Sequence, residues 1–401
     1  MRNKLLLVLA LAVALSGTAV AALSVPVITM VPGTVQGITC PTTLKVISAT
    51  TSTIAVLCEA LPPTATPAPP TSTPVPPTPV PPVQPYRIWL SHIEIMALPV
   101  SGAAWDKVNA AANGSWGTAN LSDLNANHDV YTLAGALVYD RLGSPAMKTK
   151  VEAAIHSAIG TESSSRGLEV SRNIVSYVIA ADLIGYREPG FVSWLSALRT
   201  KPMTDGRSIV STQEDRPNNW GTMASAARIS IDLYLGDAAD LARATTVFKG
   251  YLGDRAAYAG FSYGELSWQA DPAAPVGINP MGATKQGLNI DGVLPDDQRR
   301  TGGFTTSPPL GSYPFEALQG VMMAAQLLQH SGQPVYAWSD QAILRAWTWL
   351  YTVPENGTGR ASGDDSMYPV LVNHAYGTNF ALGTGGSFGK NGGWFEWTHG
   401  S

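Results

Sequence analysis

The sequence predicts an all-α main domain, an α/α toroid built as an incomplete barrel of helix hairpins, and three observations lead there. Apolar residues recur at helical spacing in segment after segment between Val130 and Leu350. Most of those segments stop on a glycine. No long period-2 alternation, the mark of a half-buried strand, appears between Trp105 and Trp349. A helical bundle of unrelated topology is the rival architecture for the same pattern.

Ahead of that domain the chain reads as three pieces. Residues 1–22 have a short basic start (Arg2, Lys4), an apolar run from Leu5 to Leu15, and small residues ending in Ala19-Val20-Ala21. This is the pattern of a secretory signal, too short for a permanent span; an uncleaved N-terminal anchor is the competing reading. Residues 23–60 hold a Val/Thr/Ile-rich patch suited to two or three short strands, with both cysteines of the chain, Cys40 and Cys58. In an oxidising compartment these two are expected to pair and staple a small module. Residues 61–85 contain 12 of the chain's 30 prolines. Such a stretch forms a polyproline II spacer, reaching roughly 75 Å at about 3.1 Å per residue. The main domain then covers residues 86–401.

Within it, Val130, Leu133, Ala134, Leu137 and Val138 mark a helix stopped by Gly143 and Pro145. Ile174, Tyr177, Val178 and Ala181 mark another, closed by Gly185. Ala226, Ile231 and Tyr234 mark a third ending at Gly236, and Leu241, Phe248 and Leu252 a fourth ending at Gly253. The tetrapeptide Tyr-Leu-Gly-Asp closes both of these last two. Phe315, Leu318, Val321, Met322 and Leu328 follow Pro314, and Ile343, Ala346, Trp347 and Leu350 complete the series. The long Gly-, Pro-, Asn- and Trp-rich stretches 253–301 and 357–401 are where a site is expected, since loops of that size in a compact domain usually carry function.

Charge narrows the partners. Beyond residue 85 there are 22 basic against 28 acidic side chains, which argues against nucleic acid. A bound polyanion would need a local cationic cluster, and two candidates exist. Arg216-Pro217-Asn218-Asn219-Trp220-Gly221 stands just before a helix, where free N–H groups and the dipole favour an anion; an N-cap role for either asparagine competes. The run Asp291 to Arg300 ends in adjacent arginines, Arg299 and Arg300, able to form a fork for carboxylates. For one of the two, an ion pair with Asp296 or Asp297 competes. Tyr313 stands ahead of the helix that opens at Pro314.

Asn218-Asn219-Trp220-Gly221, the acidic-Gly-x-x-Pro-x-x-x-Arg-Arg run from Asp291 to Arg300, and Tyr313 before an apolar helix together resemble the succession found in alginate lyases of the α/α-toroid type. The resemblance spans roughly residues 90–400, with its motifs confined to two stretches. It implies β-elimination on a uronic-acid polysaccharide, with Asn219, Arg300 and Tyr313 matching the family's Asn, Arg and Tyr. The family's His falls on Trp220, which cannot accept a proton, and the loop from Arg300 to Tyr313 is longer than the family's.

The chemistry needs such residue types. Removing the proton α to a uronate carboxylate builds negative charge there, which neutral or cationic donors such as Asn219 and Arg300 can stabilise in advance. A phenol beside a cation can protonate the departing O4, and can serve as base too if both groups lie on one side. With no imidazole at 220, His128 and His374, each in a polar stretch, are the candidate bases. Asn218, Trp220, Arg216, Arg299, Tyr376 and Trp394 are candidate substrate contacts. Trp116, Trp268 and Trp397 are further rings able to stack on sugars, although most of the 11 tryptophans are expected in the core. No cofactor and no metal are expected: Asp123, Asn125 and Asn127 start like a calcium loop, but His128 stands where it needs Gly and Ala134 where it needs Glu.

The sequence therefore predicts a secreted or periplasmic, monomeric lyase on an acidic polysaccharide. A glycoside hydrolase on the same fold, using carboxylates such as Glu265, Asp364 and Asp365, and a non-catalytic glycan-binding envelope protein are the alternatives.

Overall fold

The computed structural model describes residues 87–353, 361–383 and 388–400, and the backbone of two strands at 43–49 and 54–59. The chain divides into two units, residues 1–82 and 83–401, each described by itself. In the first, β1 (Thr43–Ala49) and β2 (Ile54–Glu59) pair antiparallel, Leu44 opposite Cys58, with a register shift between Val46 and Ser48. Cys40, the signal segment and the Pro-rich stretch lie outside the described residues.

The second unit is helical. Its elements are α1 (His92–Ala97), α2 (Ala103–Asn113), α3 (His128–Leu142), α4 (Pro145–Ala158), α5 (Gly167–Leu183), α6 (Pro189–Leu198), α7 (Ile209–Asp215), α8 (Asn219–Leu235) and α9 (Ala238–Tyr251). After a long connection come the two-residue strands β3 (Thr284–Lys285) and β4 (Leu288–Asn289), then α10 (Pro295–Gln298), α11 (Tyr313–His330), α12 (Trp338–Thr352), α13 (Tyr368–Tyr376) and α14 (Phe395–Thr398). The expected stops are found: Gly143 and Gly236 both take left-handed φ, 74° and 71°, as helix C-caps.

Burial separates two kinds of helix. On α5 all but one residue is buried, and α8 and α11 are buried on nearly every face. By contrast, α4 buries a single stripe of Met147, Val151, Ala154, Ile155 and Ala158, and α9 one of Ala244, Val247, Phe248 and Tyr251. The first kind is therefore internal and the second a cover. α3 packs on α5, α5 on α8 and α8 on α11, while α4 covers α3 and α9 covers α8. Val170, Ile174, Val175, Val178 and Ile179 make α5 rich in β-branched residues, which costs up to about 0.7 kcal/mol each in helix propensity. Burial of such side chains contributes about 1.5–3 kcal/mol each, so packing decides the conformation.

The internal helices bring their N-terminal ends together. A Cβ on Gly320, two turns into α11, would stand 2.2 Å from the Thr222 backbone in the first turn of α8, so only glycine permits this approach of the two helices. Near the C-terminus, Lys390 is buried and donates to Asp129 Oδ1 (3.1 Å) on α3 and Asn173 Oδ1 (2.7 Å) on α5. Its neighbour Asn391 donates to the Ser171 carbonyl on α5 at 2.9 Å and contacts that of Met223 on α8. One short segment thus ties α3, α5 and α8 at the same end. The long connection from Gly253 is packed rather than loose: Trp268, Ile278, Asn279 and Ile290 are fully buried in it.

Candidate functional site

The site assembles where α8, α10 and α11 begin. The chain arrives at α8 through a tight turn from α7; a Cβ on Gly221 would lie 1.8 Å from the Arg216 carbonyl oxygen, which explains the glycine of the Asn-Asn-Trp-Gly run. Asn218 is the N-cap: its Oδ1 accepts from the Trp220 N–H at 3.1 Å, and its Nδ2 donates to Asp296 at 2.8 Å. With both ends used and the side chain buried, Asn218 holds the loop rather than meeting a substrate.

Asn219 points elsewhere. Its Oδ1 accepts from Arg300 Nη1 at 2.7 Å, and its Nδ2 donates to Glu316 Oε2 at 2.7 Å. The Arg300 guanidinium lies on the Tyr313 ring, 3.3 Å from its centroid. Asn219, Arg300 and Tyr313, spread over 94 positions of sequence, thus stand in contact, with Glu316 as a fourth member. Arg300 and Glu316 are partly exposed, as is Tyr313.

Behind them is Asp297, fully buried, accepting the Asn219 backbone N–H at 3.0 Å with Arg300 3.8 Å away. Its second oxygen is buried without a partner. Burial first, and Asp296 and Glu316 in addition, push its carboxyl well above the usual range, against the pull of the Asn219 N–H and Arg300. Asp365, tied to Gln319 of α11 at 2.6 Å, is raised to about 7, again chiefly by burial.

The other candidates divide. Arg299 is committed to Asp296 at 2.7 Å, an oxygen that also accepts the Gly264 N–H at 2.9 Å, so this arginine is structural and the ion-pair reading holds for it. Trp220 is half-buried, with the guanidinium groups of Arg216 (4.5 Å) and Arg166 (5.3 Å) over its ring. His128 is buried, edge-on to Trp116, with Nδ1 2.7 Å from the Tyr177 hydroxyl. Burial lowers its pKa, and no described bond joins it to the cluster. His374 is exposed, but shares a cavity with Gln326, Gln329 and His330, the C-terminal end of the helix that Tyr313 begins. It therefore stands about 20 Å or more from the phenol, at 1.5 Å rise per residue.

The expected sugar-stacking rings are mostly core. Trp394 is 4 % exposed, stacks on Phe388 and donates its indole N–H to the Val130 carbonyl at 2.8 Å. Trp116, Trp268 and Trp397 are buried too. Tyr376 spends its hydroxyl on the Tyr336 carbonyl at 2.8 Å, beside the same remote cavity. Among the described residues no group of three metal-ligating side chains is found, and no helix is long and apolar enough to cross a membrane.

Glu316 was given no role by sequence. The signal was its i, i+3 spacing from Tyr313, which puts both side chains on one face of α11. Lys390 carried no such signal, because its partners come from distant helices. No protein-family model matches this chain, and no curated protein matches it.

Proposed function

We propose that this protein is a secreted polysaccharide lyase that cleaves a uronic-acid polymer of the alginate kind by β-elimination, on an α/α toroid in which the internal helices form the inner ring and the covering helices the outer one. The observation that carries the reading is the contact set Asn219, Arg300 and Tyr313. The N-terminal segment would export the chain, and the Pro-rich stretch would space the small module from a monomeric catalytic domain.

In this reading Arg300 and the second N–H of Asn219 receive the substrate carboxylate and stabilise the charge that builds on it as the C5 proton leaves. Tyr313 stands against the same guanidinium and protonates the departing O4. Trp220 with Arg216 offers a stacking and cationic surface for a neighbouring acidic sugar.

One observation favours a second reading, a glycoside hydrolase. Asp365, with its pKa near 7, and Glu316 are carboxyl groups close enough to influence one another, and hydrolases of this kind need an acid and a carboxylate. Mass spectrometry of the products separates the two. Elimination gives a new non-reducing end lighter by one water than hydrolysis gives; a product carrying the added water would refute the lyase reading.

A further inference from the structure

The lyase reading leaves one position empty. A base must take the C5 proton, the residue at 220 is an indole, His128 is buried against Trp116 and Tyr177, and His374 is at the far end of α11. We propose that Glu316 is that base, an inference that rests on the lyase reading and completes its chemistry.

Glu316 lies one turn after Tyr313 on α11, so carboxylate and phenol leave the helix on the same side. One carboxylate oxygen, Oε2, is fixed by Asn219 Nδ2 at 2.7 Å; among the described residues, no group bonds the other. The residue is only half-buried, which leaves that oxygen open to whatever Arg300 and Asn219 hold. Asn219 thus serves twice: its carbonyl orients Arg300 and its amide orients Glu316, setting the group that receives the substrate carboxylate beside the group that removes the adjacent proton.

The step balances within the site. The Glu316 carboxylate takes the C5 proton, the C5–H electron pair becomes the C4–C5 double bond, the C4–O4 bond breaks, and the Tyr313 hydroxyl gives its proton to O4. Glu316 ends protonated and Tyr313 as phenolate, and exchange of one proton through water restores both. No oxidant or further reactant is needed.

The test begins with the full-length wild type on a panel of soluble polyuronates, scored for unsaturated uronate. If none forms from any polymer, the lyase reading falls and this inference with it. With activity in hand, Glu316→Gln, which keeps an oxygen for Asn219, is expected to lower kcat by about 10²-fold or more while substrate affinity and melting temperature hold. Glu316→Ala should regain part of its turnover when formate is supplied as a replacement base, which a purely structural role would not allow. If Glu316→Gln keeps wild-type turnover, or loses affinity in step with turnover, or if Glu316→Ala folds and formate does nothing, Glu316 is not the base while the lyase reading stands.

Discussion

Arg300 and Asn219 share a 2.7 Å hydrogen bond across 81 positions of sequence, and the same guanidinium lies flat on the ring of Tyr313. The bond fixes the arginine's plane, and the stacking fixes the phenol.

Tyr313→Phe is the first consequence. In the proposed mechanism the Tyr313 hydroxyl is the acid, and its loss keeps the ring on which Arg300 rests, so kcat should fall by about two orders of magnitude or more with affinity largely intact. Steady-state kinetics on a soluble polyuronate check this, and an unchanged kcat would remove Tyr313 from the reaction.

Arg300→Ala should damage both affinity and kcat, because in the proposed mechanism the guanidinium attracts the ground-state carboxylate and stabilises the charge developing on it. Arg300→Lys should rescue little, since an ammonium cannot both bond Asn219 and lie on the Tyr313 ring as a plane does. A lysine variant with near-wild-type kinetics would show that charge alone matters.

Gly320→Ala tests the packing that positions the site. Its Cβ would meet the Thr222 and Met223 backbone at 2.2–2.3 Å, so α8 and α11 must part. Overpacking of this kind costs about 1–3 kcal/mol, to be read as a lower denaturation midpoint. Activity should fall further than the stability loss explains, because Asn219 and Glu316 stand on the two helices that are pushed apart; an active, equally stable variant would show that the approach of α8 and α11 is not what sets the site.

Asp365 gives a pH dependence. Its carboxyl is raised from 3.8 to about 7 in the folded chain, so the folded state holds the proton more tightly than the unfolded one. That contribution to stability is complete below pH 3.8 and is lost as the pH rises through about 7. Asp365→Asn, which keeps an acceptor for Gln319, should therefore gain melting temperature relative to wild type at about pH 8 more than at about pH 4. An equal offset at both would show that Asp365 titrates normally.

Much of the fold was legible because its signals are local. The helix ends at Gly143 and Gly236, the opening of α11 at Pro314 and the apolar stripe on α4 follow from spacing and caps. The grouping of Asn219, Arg300 and Tyr313 came through the motif resemblance, and the structure does place the three together. Other assignments missed for a physical reason. Trp394 looks like an exposed loop ring, but a left-handed turn beside Gly392 and Gly393 folds it inward onto Phe388 and the Val130 carbonyl. His374 sits in a polar run that turns out to be the last turn of α13, facing the remote end of α11. The partnership of Lys390 with Asp129 and Asn173 spans more than 200 positions and has no pattern a single sequence displays.

The proposed spacer offers a separate check on domain organisation. A chain beginning at Tyr86 should melt as the full-length protein does if, as proposed, the Pro-rich stretch makes no core contacts with the helical unit. A large drop would mean that the N-terminal module packs on the helical unit.

The central claim is the elimination itself, and the most direct measurement is ultraviolet absorbance during incubation of the full-length protein with soluble polyuronates. The account predicts that at least one polymer gives a rising absorbance from a C4–C5 unsaturated uronate, and that Tyr313→Phe nearly abolishes the rise. New reducing ends with no such absorbance, or binding with no cleavage of any uronate polymer, would contradict it.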